Sequence, residues 1–88
     1  MAATALQVRG KVLDARGKPV AGARLLWQHA PVALPDTAAL SRADGSFLLA
    51  VPVAGHYTLL CVSDRHGETL VDLDIGPAGC TVTLHLPR

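Results

Sequence analysis

Eighty-eight residues suffice for one domain, spanning 1–88, with a thin stability margin, because a chain this short buries only about two-thirds of its unfolded surface. Half the residues are apolar and 17% are charged, which favours a folded globule over a disordered tail. Eight Lys and Arg stand against seven Asp and Glu without clustering, which argues against nucleic acid and anionic membranes as partners.

From the N-terminus, residues 1–5 lack the basic flank and apolar stretch of a secretory signal. The domain is therefore expected either to be cytoplasmic or to have been separated from an export signal or larger parent, and its compartment stays open. The longest apolar runs, such as 47–51, fall far short of the roughly 20 residues a bilayer span needs, so no membrane insertion is expected.

Period-two alternation, broken by Gly, Pro and Asp, predicts seven strands at 6–13, 23–29, 38–41, 47–51, 57–63, 69–75 and 81–86. No window sustains the three-and-four apolar spacing of a helix. The connections at 14–19, 31–35, 43–45, 52–55, 64–67 and 76–79 each carry residues that stop a strand or permit positive φ. Seven short strands suit an all-β, immunoglobulin-like two-sheet sandwich with Greek-key connections. Alternation assigns one inward set: Val8, Val12, Ala23, Leu25, Trp27, Phe47, Leu49, Tyr57, Leu59, Cys61, Val71, Leu73, Ile75, Val82, Leu84 and Leu86.

Register at Asp44-Gly45 follows from burial. A two-residue turn would put Arg42 opposite Phe47 and leave a charge in the core. A longer loop from Arg42 to Ser46 instead sets Ser41 opposite Phe47 and Ala39 opposite Leu49.

Four segments in order, Gly10-Lys11-Val12-Leu13-Asp14, Gly17-Lys18-Pro19-Val20-Ala21-Gly22-Ala23, Asp44-Gly45-Ser46-Phe47-Leu48-Leu49 and Gly55-His56-Tyr57-Thr58-Leu59, resemble the carboxypeptidase regulatory-like domain. The resemblance covers about four-fifths of the chain and implies a prealbumin-like (transthyretin-like) sandwich. It also implies an accessory domain of a larger exported or surface protein, which favours a periplasmic, cell-surface or secreted setting. In that frame Gly17, Pro19 and Gly22 shape a chain reversal, Val20 plugs one end of the sandwich, and Tyr57 sends its phenol to a backbone partner at the rim. The chain departs from the family at Arg42, where members often carry an acidic residue.

Reactive constellations are wanting. His29, His56, His66 and His85 lack the short paired spacing of zinc sites, so no metal or other cofactor is expected. Ser41, Ser46 and Ser63 come with no elbow or oxyanion motif, so nucleophilic catalysis is unsupported. Among enzymes of similar fold, the transthyretin-like hydroxyisourate hydrolase ends in a tyrosine-arginine-glycine-serine tetrapeptide, whereas this chain ends Leu84-His85-Leu86-Pro87-Arg88. Intradiol ring-cleaving dioxygenases hold iron with two tyrosines and two histidines, and this chain has only Tyr57. The self-made isopeptide bond of collagen-adhesin B-type domains would need an acceptor Asn or Asp in the last strand. Lys11 and Glu68 have none there.

Trp27 is in phase with Ala23 and Leu25, which places it in the core rather than on an exposed sugar-stacking platform. Cys61 and Cys80 both fall on inward positions, and a bond between them would contribute about 3 kcal/mol. Parity does not establish proximity, so two unpaired thiols are expected and a disulfide is left open.

The outward positions are more informative. Arg24, Leu26 and Gln28 in the second strand, with Thr58, Leu60 and Val62 in the fifth, share a face if those strands are neighbours, as the resemblance implies. Leu26, Leu60 and Val62 would then form an exposed apolar patch, joined by Leu48 if its strand lies close. The expected role is a non-catalytic structural or interaction module whose partner is a neighbouring domain or a second copy. The alternative is a carbohydrate- or peptide-binding module using end loops at 31–37 and 64–67, with its ligand open. A transthyretin-like hydrolase is the remote third reading.

Overall fold

The computed structural model describes residues 5–34 and 38–88. Those residues build seven strands and no helix. They are β1 (Leu6–Leu13), β2 (Arg24–His29), β3 (Ala39–Leu40), β4 (Ser46–Val51), β5 (Gly55–Ser63), β6 (Gly67–Ile75) and β7 (Cys80–His85). Two sheets form, ordered β4-β1-β7 and β3-β2-β5-β6. Every paired strand runs antiparallel to its neighbour except β1 and β7, which run parallel. The β-sandwich expected from alternation is the fold observed.

The hinge between the two sheets is built around Ser41. Its Oγ accepts the Ala23 N–H at 2.9 Å and donates to the Val20 carbonyl at 2.6 Å, while its own N–H donates to the Ala23 carbonyl at 3.0 Å. The loop after it spans Arg42 to Ser46 as expected, with the Arg42 N–H donating to the Ser46 carbonyl and the Gly45 N–H to the Arg42 carbonyl, each at 2.9 Å. The strand pairing expected across that loop does not form. β3 adds to β2 and β4 adds to β1, so Ser41 is not opposite Phe47, nor Ala39 opposite Leu49. The physical reason is that Ser41 leaves the strand to satisfy the turn at Val20 to Ala23, and the chain crosses to the other sheet immediately afterwards. Gly45 makes that crossing possible: its φ is +80°, and a Cβ there would stand 2.7 Å from the Val12 carbonyl oxygen.

Side chains of alternating parity from both sheets fill the interior: Val8, Val12, Ala23, Leu25, Phe47, Tyr57, Leu59, Cys61, Leu73, Ile75, Leu84 and Leu86 are all buried. Val51 joins them by continuing the Phe47 and Leu49 alternation, and Val20 is buried in the same cluster. Trp27, Leu49, Val71 and Val82 are only partly buried, in departure from the expected core. Leu49, Val71 and Val82 lie on edge strands, and Trp27 lies beside β3, whose two residues are too short to cover it. The Tyr57 ring is fully buried and its hydroxyl donates to the Val53 carbonyl at 2.7 Å, the rim contact expected of it.

Candidate functional site

Cross-strand register on the four-stranded sheet brings the outward side chains into rows. Arg24, Val62 and Glu68 lie side by side on β2, β5 and β6, and Leu26, Leu60 and Leu70 form the next row. Directly opposed residues of one face stand about 5 Å apart at Cβ, so the three leucines make a continuous band. β3 extends the first row, because Leu40 is opposite Arg24. The band is open to solvent at both flanks, with Leu40 62% and Leu70 58% exposed. Leu26, Leu60 and Val62 are half-buried.

Of the four residues expected to form this patch, the structure brings three together. Leu48 is 45% exposed but stands on β4, in the other sheet, opposite Arg9. It cannot join the patch, because the sandwich interior lies between them. Leu70 and Leu40 take its place. Leu70 was readable from parity, being out of phase with Val71, Leu73 and Ile75, and from counting back around the three-residue turn that pairs Ser63 with Gly67. Leu40 had no comparable signal, since nothing in the sequence says which neighbour so short a strand will choose.

One end of this face is polar. A β-bulge at Gln28 sets His29 beside Thr58, while Thr58 donates to Asp72 at 2.8 Å and His56 Nδ1 contacts Asp74 at 2.9 Å. The Asp74 hydrogen bond holds the His56 pKa above its ordinary value of 6.5, against a smaller opposing effect of burial. At the other end Arg24 reaches Asp64 at 3.1 Å, with both side chains well exposed. The outer face of the three-stranded sheet differs in character. Leu48 and Ala50 there sit among Gln7, Arg9, Lys11, Thr81 and Thr83.

The described part of the first loop, residues 31–34, does not converge on one end with the loop at 64–67. Pro31 packs against Gly55 where β5 begins, whereas Asp64 to Gly67 lies where β5 ends, with His66 accepting from Arg88 N–H and Pro87 beside Gly67. The antiparallel pairing of β2 with β5 separates them by the length of the sandwich. Residues 35–37 lie outside the described residues.

Trp27 tilts against Tyr57, ring centroids 5.1 Å apart, and its free edge borders a groove of about 260 Å³ lined by Leu34, Ala38, Ala39, Leu48, Leu49 and Ala50. That volume is below the roughly 300–1,000 Å³ of small-molecule pockets. Cys61 and Cys80 are both free thiols. Burial pushes the Cys61 pKa up to about 11 and raises that of Cys80 as well.

Similar folds occur among solved structures. The dioxygenase domain of a dioxygenase and carbohydrate-binding protein fusion from the cellulolytic bacterium Streptomyces sp. SirexAA-E aligns over 98% of this chain and 81% of its own, at 19% identity and a TM-score of 0.71. The major pilin subunit BcpA of Bacillus cereus aligns over 96% of this chain at 16% identity and a TM-score of 0.62, and this chain spans only 30% of that subunit. At such identities the likeness is one of fold. No family model and no curated protein matches the sequence.

The intradiol type of iron site does not fit the residues present. The one tyrosine is buried with its hydroxyl committed to Val53, and among the described residues no three of His, Cys, Asp and Glu come together to hold a metal ion.

Proposed function

We propose that this chain is a non-catalytic accessory module, of the carboxypeptidase regulatory-like type, that contacts protein through the outer face of its four-stranded sheet. The observation that carries the reading is the band of Leu26, Leu60 and Leu70 with Val62 and Leu40, an apolar surface in the middle of a sheet rather than scattered leucines. Further support comes from the interior, which absorbs Phe47, Tyr57 and Cys61 in packing and leaves Trp27 only a shallow edge. Both structural neighbours are parts of larger proteins, a fusion and a pilin, which is the setting expected of an accessory sandwich and favours an exported or surface parent.

The test uses Leu60→Asp and Leu70→Asp. Both chains are expected to keep the native circular dichroism spectrum and to bind less of a dye that senses apolar surface. Unfolding by Leu70→Asp, a change at a mostly exposed position, would make the band part of the core and end the reading. Turnover of a ureide or a catechol by the purified chain would overturn the non-catalytic assignment.

A further inference from the structure

We infer that the occupant of this face is a second copy of the chain, packed face to face about a two-fold axis that runs along β5, which rests on reading the face as the contact surface. The rows decide the axis. β5 is the middle strand of Arg24-Val62-Glu68, Leu26-Leu60-Leu70 and His29-Thr58-Asp72. A two-fold along β5, lying in the plane of contact, keeps each row at its own level and exchanges β2 with β6. Leu60 then meets Leu60 of the second copy, Leu26 meets Leu70, Arg24 meets Glu68, and His29 meets Asp72. A two-fold across the strands would instead carry Glu68 onto Asp72, acid on acid, and Arg24 onto His29.

The first arrangement places hydrogen-bond donors of β2 on carboxylates of β6 at both ends of an apolar stripe, and it does so twice by symmetry. A face complementary to itself in this way fits a copy better than it fits an arbitrary partner. Packed sheets cross at about 30°, which moves positions one strand from the axis by about 2–3 Å, within the reach of Arg and Glu side chains. The intramolecular contact of Arg24 with Asp64 does not compete strongly, because an ion pair between two well-exposed side chains is weakened by solvent screening. The other sheet offers no such match, with Arg9 and Lys11 on its middle strand and no acid opposite them.

Size sets the strength. Four strands spaced about 4.8 Å apart make a face about 19 Å wide, so the surface buried falls at the small end of protein interfaces, below about 1,200 Å² in total. The dimer is therefore weak, half-formed at about 0.01–1 mM.

Sedimentation velocity from about 10 μM to about 1 mM reads this directly. The native chain is expected to pass from monomer to dimer. Arg24→Glu alone and Glu68→Arg alone are each expected to dimerise at least about tenfold more weakly, since each sets like charges against each other twice. Mixed in equal amounts, the two variants carry opposite charges at both contacts and are expected to recover native-strength association as a heterodimer. A purely structural role for either residue gives no such recovery on mixing.

A mixture no stronger than its components overturns the axis, and a dimer that survives Leu60→Asp and Leu70→Asp places the contact elsewhere. A native chain that stays monomeric throughout, while folded Leu70→Asp binds less dye, removes the second copy as occupant and leaves the face a docking surface for another protein. Unfolded Leu70→Asp would instead remove the contact surface itself.

Discussion

Ser41 Oγ accepts the backbone N–H of Ala23 at 2.9 Å across the junction where the chain leaves one sheet for the other. The same hydroxyl donates to the Val20 carbonyl at 2.6 Å, so one side chain closes two polar groups that the turn leaves without strand partners. Ser41→Ala removes both bonds and leaves the buried Ala23 N–H unsatisfied. The expected loss is about 1–3 kcal/mol, or a fall in melting temperature of several degrees for a domain of this size. Urea unfolding of the two chains measures it, and a midpoint within error of the native one would show that the junction is held by packing alone.

Gly10 presents a different constraint, since the Phe47 ring lies directly over it from the neighbouring strand β4. A Cβ at Gly10 would stand 2.7 Å from the Phe47 Cε2 atom and would also press on the Val82 carbonyl. Gly10→Ala should therefore destabilise by about 1–3 kcal/mol through overpacking. In a Phe47→Leu background the same change should be milder, because part of the obstruction has gone, with a coupling of at least about 0.5 kcal/mol between the sites. Strictly additive effects in the double-mutant cycle would mean that the Val82 backbone alone excludes the side chain.

Much of this architecture was legible because the alternation of apolar residues is nearly unbroken. The strand from Leu6 to Leu13 is found as read, and twelve expected core positions are buried. What parity cannot convey is which strands become neighbours. The loop after Ser41 looked like a hairpin because Arg42 and Phe47 had to be kept apart, yet the chain solved that problem by sending β3 and β4 to different sheets. The contact face suffered from the same blindness. Leu48 has the right parity in the wrong sheet, and the described residues of the two loops grouped as a binding end, 31–34 and 64–67, sit at opposite ends, since the direction of β2 against β5 separates them. Trp27 is in phase with the core but beside a strand too short to cover it, which no periodicity reveals.

His56 gives the fold a small dependence on pH. Its hydrogen bond to Asp74, with lesser attraction from Asp74 and Asp72, raises the folded-state pKa above 6.5. A raised pKa means that the protonated imidazole is favoured on folding. The contribution is therefore complete below the unfolded value of about 6.5 and is lost as pH rises through the higher folded value. NMR titration should place His56 above 6.5, and Asp74→Asn should bring it down. The difference in stability between native and Asp74→Asn should shrink from pH 5.5 to 8.5. A difference that instead grows with pH would show that the pair does not form in solution.

Cys61 reports on the integrity of the interior. Burial holds its pKa at about 11, so only roughly one molecule in a thousand carries the reactive thiolate at pH 8, and the sulfur is enclosed besides. Cys80 is only partly buried and lies on the edge strand β7. Alkylation of the native chain at pH 8 should thus reach Cys80 first and Cys61 only through opening of the sandwich. Mass spectrometry of timed samples distinguishes the two sites, and the Cys61 rate should rise with urea in proportion to the unfolded population. Modification of Cys61 in the native chain as fast as Cys80 would mean that the two sheets separate readily, and the packed core described above would not be the state present in solution.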